Sequence, residues 1–202
     1  MKVYVETNWL LDLALEQERI QASSFVLELA KNSKIRLYLP EICLVEADQK
    51  IVRRKLQRET LIENLRNEGR ELIRSHDARY QLQAAAINQD IFQLRDISDF
   101  EREHFDTTVR NISKFLTWLH FGNGSLQNSF DLENNYELSR LDALVYAVIR
   151  TDAASDFATE KCFIDYDGHF KNPELKLDMT ELGITLLGSP ESVENFVRSK
   201  VC

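Results

Sequence analysis

Five acidic residues stand where a carboxylate is hard to explain as surface decoration. Glu6 follows the apolar run Val3-Tyr4-Val5 and is itself followed by Thr7 and Asn8. Glu46 sits among Leu44, Val45 and Ala47, six residues after Pro40. Asp142 is the sole acid among Leu141, Ala143, Leu144, Val145 and Ala147. Asp165 and Asp167 bracket Tyr166, directly behind the apolar Cys162-Phe163-Ile164. An ionised carboxylate is expensive to bury unless something positive meets it. No Arg or Lys stands at the apolar positions beside Asp142, although Arg140 is near. A cation shared among the acids would resolve the cost. Carboxylates converging from separate segments make an oxygen-lined site for a hard divalent ion, Mg²⁺ or Mn²⁺. Such clusters activate water and stabilise the charge of phosphodiester cleavage. Taken singly, Glu6-Thr7-Asn8 could just end a strand and cap a helix, because Thr and Asn are good caps, and Glu46 could be a solvated helix residue.

The elements that would position these acids alternate. Residues 2–6 read as a strand, 8–16 as a helix and 19–32 as a second helix. Residues 34–40 form a short strand stopped by Pro40, and a long helical stretch starts near Glu41 and continues, broken or not, toward Ala86. Residues 99–120 read as a further helix, and the Gly-, Asn- and Ser-rich 121–135 as a loop. A helix over 138–151, strands at 161–165 and 183–188, and a last helix opened by Ser189-Pro190 complete the chain. Strand–helix alternation at both ends implies an α/β fold with a parallel sheet flanked by helices. The middle, about 55–125, interrupts it as a helical insertion within one domain. In open parallel sheets, ligands bind outside the carboxyl ends of the strands, which is where Glu6, Asp165 and Asp167 fall.

With these motifs in order, the chain resembles the PIN-domain nucleases. Val5-Glu6-Thr7-Asn8-Trp9-Leu10-Leu11-Asp12 resembles the family's strand-end Asp-Thr-Asn followed by an xLLD sequence. Pro40 and Glu46 are similar to its second motif. Leu138-Ser139, Asp142-Ala143 and Ala147 resemble its third, and Asp165 through Phe170 its fourth. The resemblance covers roughly 1–55 and 135–190 and leaves the middle unexplained. Glu6 replaces the usual Asp, and Asp165 a usual hydroxyl residue.

The resemblance implies a Mg²⁺- or Mn²⁺-dependent endoribonuclease acting on single-stranded or structured RNA through activated water. Glu6, Glu46, Asp142 and Asp167 would be its catalytic acids, with Glu6, Asp142, Asp165 and Asp167 as metal ligands. Thr7, Asn8 and Ser139 would orient carboxylates and water. Many small members are toxins of toxin–antitoxin pairs, which implies an antitoxin or other protein partner; a homodimer is also compatible. The competing reading is a degenerate PIN-like domain acting as a nucleic-acid-binding or interaction scaffold.

Composition bounds the rest. The 202 residues have 44% hydrophobic content and a net charge of −8, which disfavours a general nucleic-acid coater. Residues 50–79, however, hold nine basic and five acidic residues. Within this arm Arg58, Arg66, Arg70 and Arg74 could track phosphates, or they could form a solvated, salt-bridged helix face. Three dispersed cysteines without CxxC spacing, no membrane-length apolar run and no signal-peptide layout imply a cytoplasmic protein. Strand–Asp-x-Asp-Gly also resembles the nucleophile motif of haloacid-dehalogenase-type phosphatases. That motif opens its domain, whereas only 35 residues follow Asp167. His169 reads as a surface histidine.

Overall fold

A computed structural model describes residues 1–201. Two compact units divide them: residues 1–47 with 107 onward, and residues 48–106. The first is α/β, a five-stranded parallel sheet flanked by helices, with strand order β3-β2-β1-β4-β5. Its strands are β1 (Lys2–Val5), β2 (Arg36–Pro40), β3 (Leu116–Leu119), β4 (Lys161–Ile164) and β5 (Ile184–Leu187). All four residues of β1 and all four of β4 are buried. Both strands are covered on both faces, so they read as unbroken β-favouring runs rather than alternating ones.

Helices α1 (Thr7–Ala14) and α2 (Ile20–Lys31) connect β1 to β2. Helices α5 (Asn123–Tyr136) and α6 (Arg140–Ala154) lead from β3 to β4, and α7 (Pro173–Glu181) leads to β5. With strand order β3-β2-β1-β4-β5, the rule that parallel crossovers are right-handed assigns the first pair to one face of the sheet and the second group to the other. The last helix, α8 (Pro190–Val201), packs on α2. Lys2 Nζ and the Tyr4 hydroxyl donate to Asp152 at 2.9 and 2.7 Å, tying β1 to the end of α6.

Residues 48–106 belong to two long helices, α3 (Glu41–Ile73) and α4 (Ala78–Ile112), whose turn lies at 74–77. Ala84, Ile91, Ser98 and Phe105 recur every seven residues on α4, and all are buried. Ile51, Ile62 and Gly69 are the buried positions of α3 in this unit. A Cβ on Gly69 would lie 3.7 Å from Ile87, so the helices pack antiparallel along a heptad-spaced seam. Glu101 accepts both guanidinium nitrogens of Arg58 at 2.7 Å and Arg54 at 3.0 Å.

The helical stretch that starts at Glu41 is broken once, ending at Ile73 and resuming at Ala78. Two expectations need correction. Residues 116–119, expected in a helix, are the edge strand β3, paired Leu37–Leu116 through Pro40–Leu119. A short apolar run cannot be assigned by periodicity alone, and pairing with β2 decided it. Residues 121–135 were expected as a loop, but from Asn123 they belong to helix α5. Ser125, Ser129 and Leu132 recur at helical spacing and are buried, with α5 packed on α6. Small residues let the two helices approach, and packing overrides the poor helix propensity of Gly, Asn and Ser. Among the described residues, no helix is long and apolar enough to cross a membrane.

Candidate functional site

The chain leaves β1 in one direction, to β2 and β3, then crosses back to β4 on the other side. The carboxyl ends of β1 and β4 therefore form a topological switch point, the usual ligand crevice of such sheets. Val5 and Ile164 are register partners. The next residues are Glu6 and Asp165, so two acids leave adjacent strands side by side.

Each remaining acid has its own anchor. Glu6 is the N-cap of α1 and accepts from the Asn8 amide at 3.0 Å, so this contact of Asn8 is through its backbone. The Thr7 hydroxyl donates to the Glu46 carboxylate, which joins the start of α1 to the second turn of α3. The Cys43 thiol is buried against Thr7, Glu6 and Glu46; burial pushes its pKa far up, and the Glu6 charge adds to this.

Asp142 lies in the first turn of α6 rather than mid-face, because the helix starts at Arg140. Ser139 caps that helix: its hydroxyl accepts the Asp142 amide at 3.2 Å and donates to the Asp142 carboxylate at 2.6 Å. An acid there also meets the positive end of the helix dipole. Much of the expected burial cost is thus met locally, and the Asp142 side chain is 22% exposed. His169 Nδ1 stands 3.5 Å from its other oxygen, joining α6 to the loop behind β4.

Asp165 differs from the others. It is buried, and its oxygens accept the amides of Gly168 at 3.0 Å and Phe170 at 3.2 Å. It therefore closes the loop on which Asp167 and His169 ride, and Gly168 takes the left-handed φ of +73° that this turn demands. Burial raises the Asp165 carboxyl above its ordinary value, and the Phe170 and Gly168 amides pull partly against it.

Three further residues enter the site without having been singled out from the sequence. Asp12 of α1 is wholly buried and accepts Arg19 Nε at 3.0 Å. Arg19 Nη1 is 4.0 Å from Asp167, and its guanidinium lies 4.9 Å over the Tyr166 ring. Burial raises Asp12, partly offset by the charge and hydrogen bond of Arg19, while Asp167 and Glu18 raise it further. Burial, with the charge of Asp12 next, pushes the Tyr166 hydroxyl up to about 12. The available signal was the isolated acid in the apolar "WLLDLAL", the same argument that selected Asp142.

The donor set is carboxylate oxygen, the chemistry of a hard divalent cation. As placed, no three His, Cys, Asp or Glu groups among the described residues lie close enough together to hold one ion. The donor types are those that such an ion takes, but their placement does not gather three of them around one point.

In the other unit, Arg58 is committed to Glu101 as described. Arg66 pairs with Glu63 at 3.4 Å, Arg70 donates to Asn67 at 3.2 Å and Arg74 pairs with Glu71 at 2.8 Å. The last three contacts are exposed, of a kind that contributes little to stability and yields readily to another partner.

No protein-family model matches the chain, and no curated protein matches it. Among solved structures it is similar to a chain of the crystal structure of VapBC2 from Rickettsia felis bound to a DNA fragment from their promoter. The identity is 13%, the match covers 93% of this chain and 98% of that one, and the TM-score is 0.47. A likeness this loose says nothing of what the chain binds or does.

Proposed function

We propose that the switch point between β1 and β4 is a Mg²⁺- or Mn²⁺-dependent endoribonuclease site of PIN-like type. The supporting observation is positional. Glu6 and the Asp165–Phe170 loop leave adjacent register partners, Thr7 holds Glu46, and His169 links Asp142 to the same loop. In this reading Glu6, Asp142 and Asp167 hold the cation and Glu46 completes the acid wall. Asp165 was expected among the ligands; with both oxygens on its own loop, its part is to present Asp167. The Thr7 and Ser139 hydroxyls fix the orientation of Glu46 and Asp142, and Asn8 fixes Glu6 through its amide. The cation, when bound, supplies Lewis-acid activation of water and neutralises charge at the scissile phosphate. Arg66, Arg70 and Arg74 are available to RNA phosphates, Arg58 less so. A small antitoxin-like protein is the partner that the resemblance implies.

The test is cleavage of 5′-labelled single-stranded RNA by wild type and Asp142→Asn, each with Mn²⁺, Mg²⁺ or EDTA. Expected is metal-dependent cutting by the wild type, reduced about 100-fold or more in the variant. Equal cutting by both removes Asp142 from the site.

A second reading, the non-catalytic scaffold, draws on a specific observation: a guanidinium already stands between Asp12 and Asp167. Millimolar Mn²⁺ separates the two readings. A working acid site gains melting temperature and loses that gain in Asp142→Asn; a scaffold shows neither effect.

A further inference from the structure

We propose that Arg19 is an internal counter-cation of the acid site, a positioning residue that competes with a divalent ion for Asp167. The inference rests on the cation reading above and adds a regulator to it. Arg19 stands at the N-cap of α2, where its side chain makes no capping bond. It turns instead to Asp12 at 3.0 Å, to Asp167 at 4.0 Å and to the Tyr166 ring at 4.9 Å.

Asp12 explains why it stays there. The Asp12 side chain is 0% exposed, and its Oδ1 has no hydrogen-bond partner. Arg19 is the only cation with which it forms an ion pair among the described residues. An ionised carboxylate so placed holds its guanidinium firmly, because release would strand a buried charge. Arg19 is thereby fixed beside Asp167, whose side chain is 34% exposed. A cleft of about 320 Å³ lined by Asp12, Gln17, Glu18 and Arg19 opens beside it. This cleft is the space into which the guanidinium would turn if it left Asp167 and kept Asp12.

Arg19 shares its single positive charge between Asp12 and Asp167, so Asp167 is partly compensated, and a divalent ion arriving there must displace Arg19 or accept its repulsion. The two cations are linked reciprocally: each weakens the hold of the other. A site that engages metal only when Arg19 withdraws is latent, and a ligand or partner that draws Arg19 into the cleft would open it.

Titration calorimetry of Mn²⁺ into the full chain tests this with no assay of activity. Wild type is compared with Arg19→Gln, Arg19→Lys and the double variant Asp12→Asn/Arg19→Gln. The double variant covers the case in which Arg19→Gln alone strands Asp12 and fails to fold; circular dichroism confirms that each protein is folded. Expected is Mn²⁺ binding about tenfold tighter without the charge at position 19, and near wild-type binding with Arg19→Lys. Unchanged or weaker binding in the Gln variants, with wild type still binding, overturns the role of Arg19 and leaves the cation reading standing. Absence of binding in every variant overturns both.

Discussion

Replacing Asp165 by Ala probes the loop that carries Asp167 and His169. The carboxylate accepts two amides, and that of Phe170 is buried. Hydrogen bonds to a charged group each contribute about 1.5–3 kcal/mol, and a buried donor left without a partner loses most of that. Water can partly replace the acceptor at Gly168, and the variant also escapes the cost of burying a charge. The net loss is then about 3 kcal/mol. In a chain of this size that lowers the melting temperature by about 6–12 °C. Asp165→Asn keeps one acceptor and turns its NH₂ toward the other amide, so about half the loss is expected. Phe170, packed edge-on against Phe163 at 5.0 Å, should loosen with the loop. The sign of the pH dependence follows from burial, which raises the folded carboxyl above its unfolded value. The folded state then binds the proton first, so this group favours folding more as pH falls toward the ordinary carboxylate range. The gap between wild type and Asp165→Ala should therefore widen from neutral pH to mild acid. Urea melts at two pH values measure it. A loss below about 1 kcal/mol, or a gap that narrows on acidification, would refute the assignment of Asp165 as the brace of this loop.

Other perturbations test the supporting structure. Glu101→Ala removes the shared partner of Arg54 and Arg58 in the helical unit and should cost about 2–3 kcal/mol; helicity followed by circular dichroism in urea measures it, and a neutral result would make the pair decorative. At Asp178, burial alone would raise the carboxyl, but bonds from Arg150 and the Tyr146 hydroxyl together hold it below its usual value. Its contribution is present above the unfolded carboxylate pKa and is lost as pH falls through the lower folded one. The advantage of wild type over Asp178→Asn should thus shrink in acid, opposite in sign to Asp165, as thermal melts across pH would record.

Much of the sheet unit was legible because its signals are local. Strands buried on both faces read as apolar runs, and Pro40 marks the end of β2. Glu6 and Asp165 were placed at strand ends by the same runs. The missed elements depend on partners distant in sequence. Leu116–Leu119 is a strand because β2 lies beside it, and Asn123–Tyr136 is a helix because α6 covers its small-residue face. In the site, residue types gave the chemistry but not the contacts. Asp142 looked like a costly interior charge, yet a cap three residues earlier meets it. Arg19 lies seven residues and a turn beyond Asp12, too far for helical spacing to pair them. Asp165 and Asp167 were indistinguishable by type, and only the turn at Gly168 separates a loop brace from a carboxylate facing Arg19.

In the proposed site Glu6, Asp142 and Asp167 share one divalent ion, and a crystal of the wild type soaked in Mn²⁺ tests this most directly. Anomalous scattering locates the ion without reference to any substrate or assay. Expected is a single strong peak within bonding distance of those three carboxylates, with Arg19 turned away from Asp167. A peak elsewhere, or none at millimolar Mn²⁺ with Arg19 still beside Asp167, would contradict it.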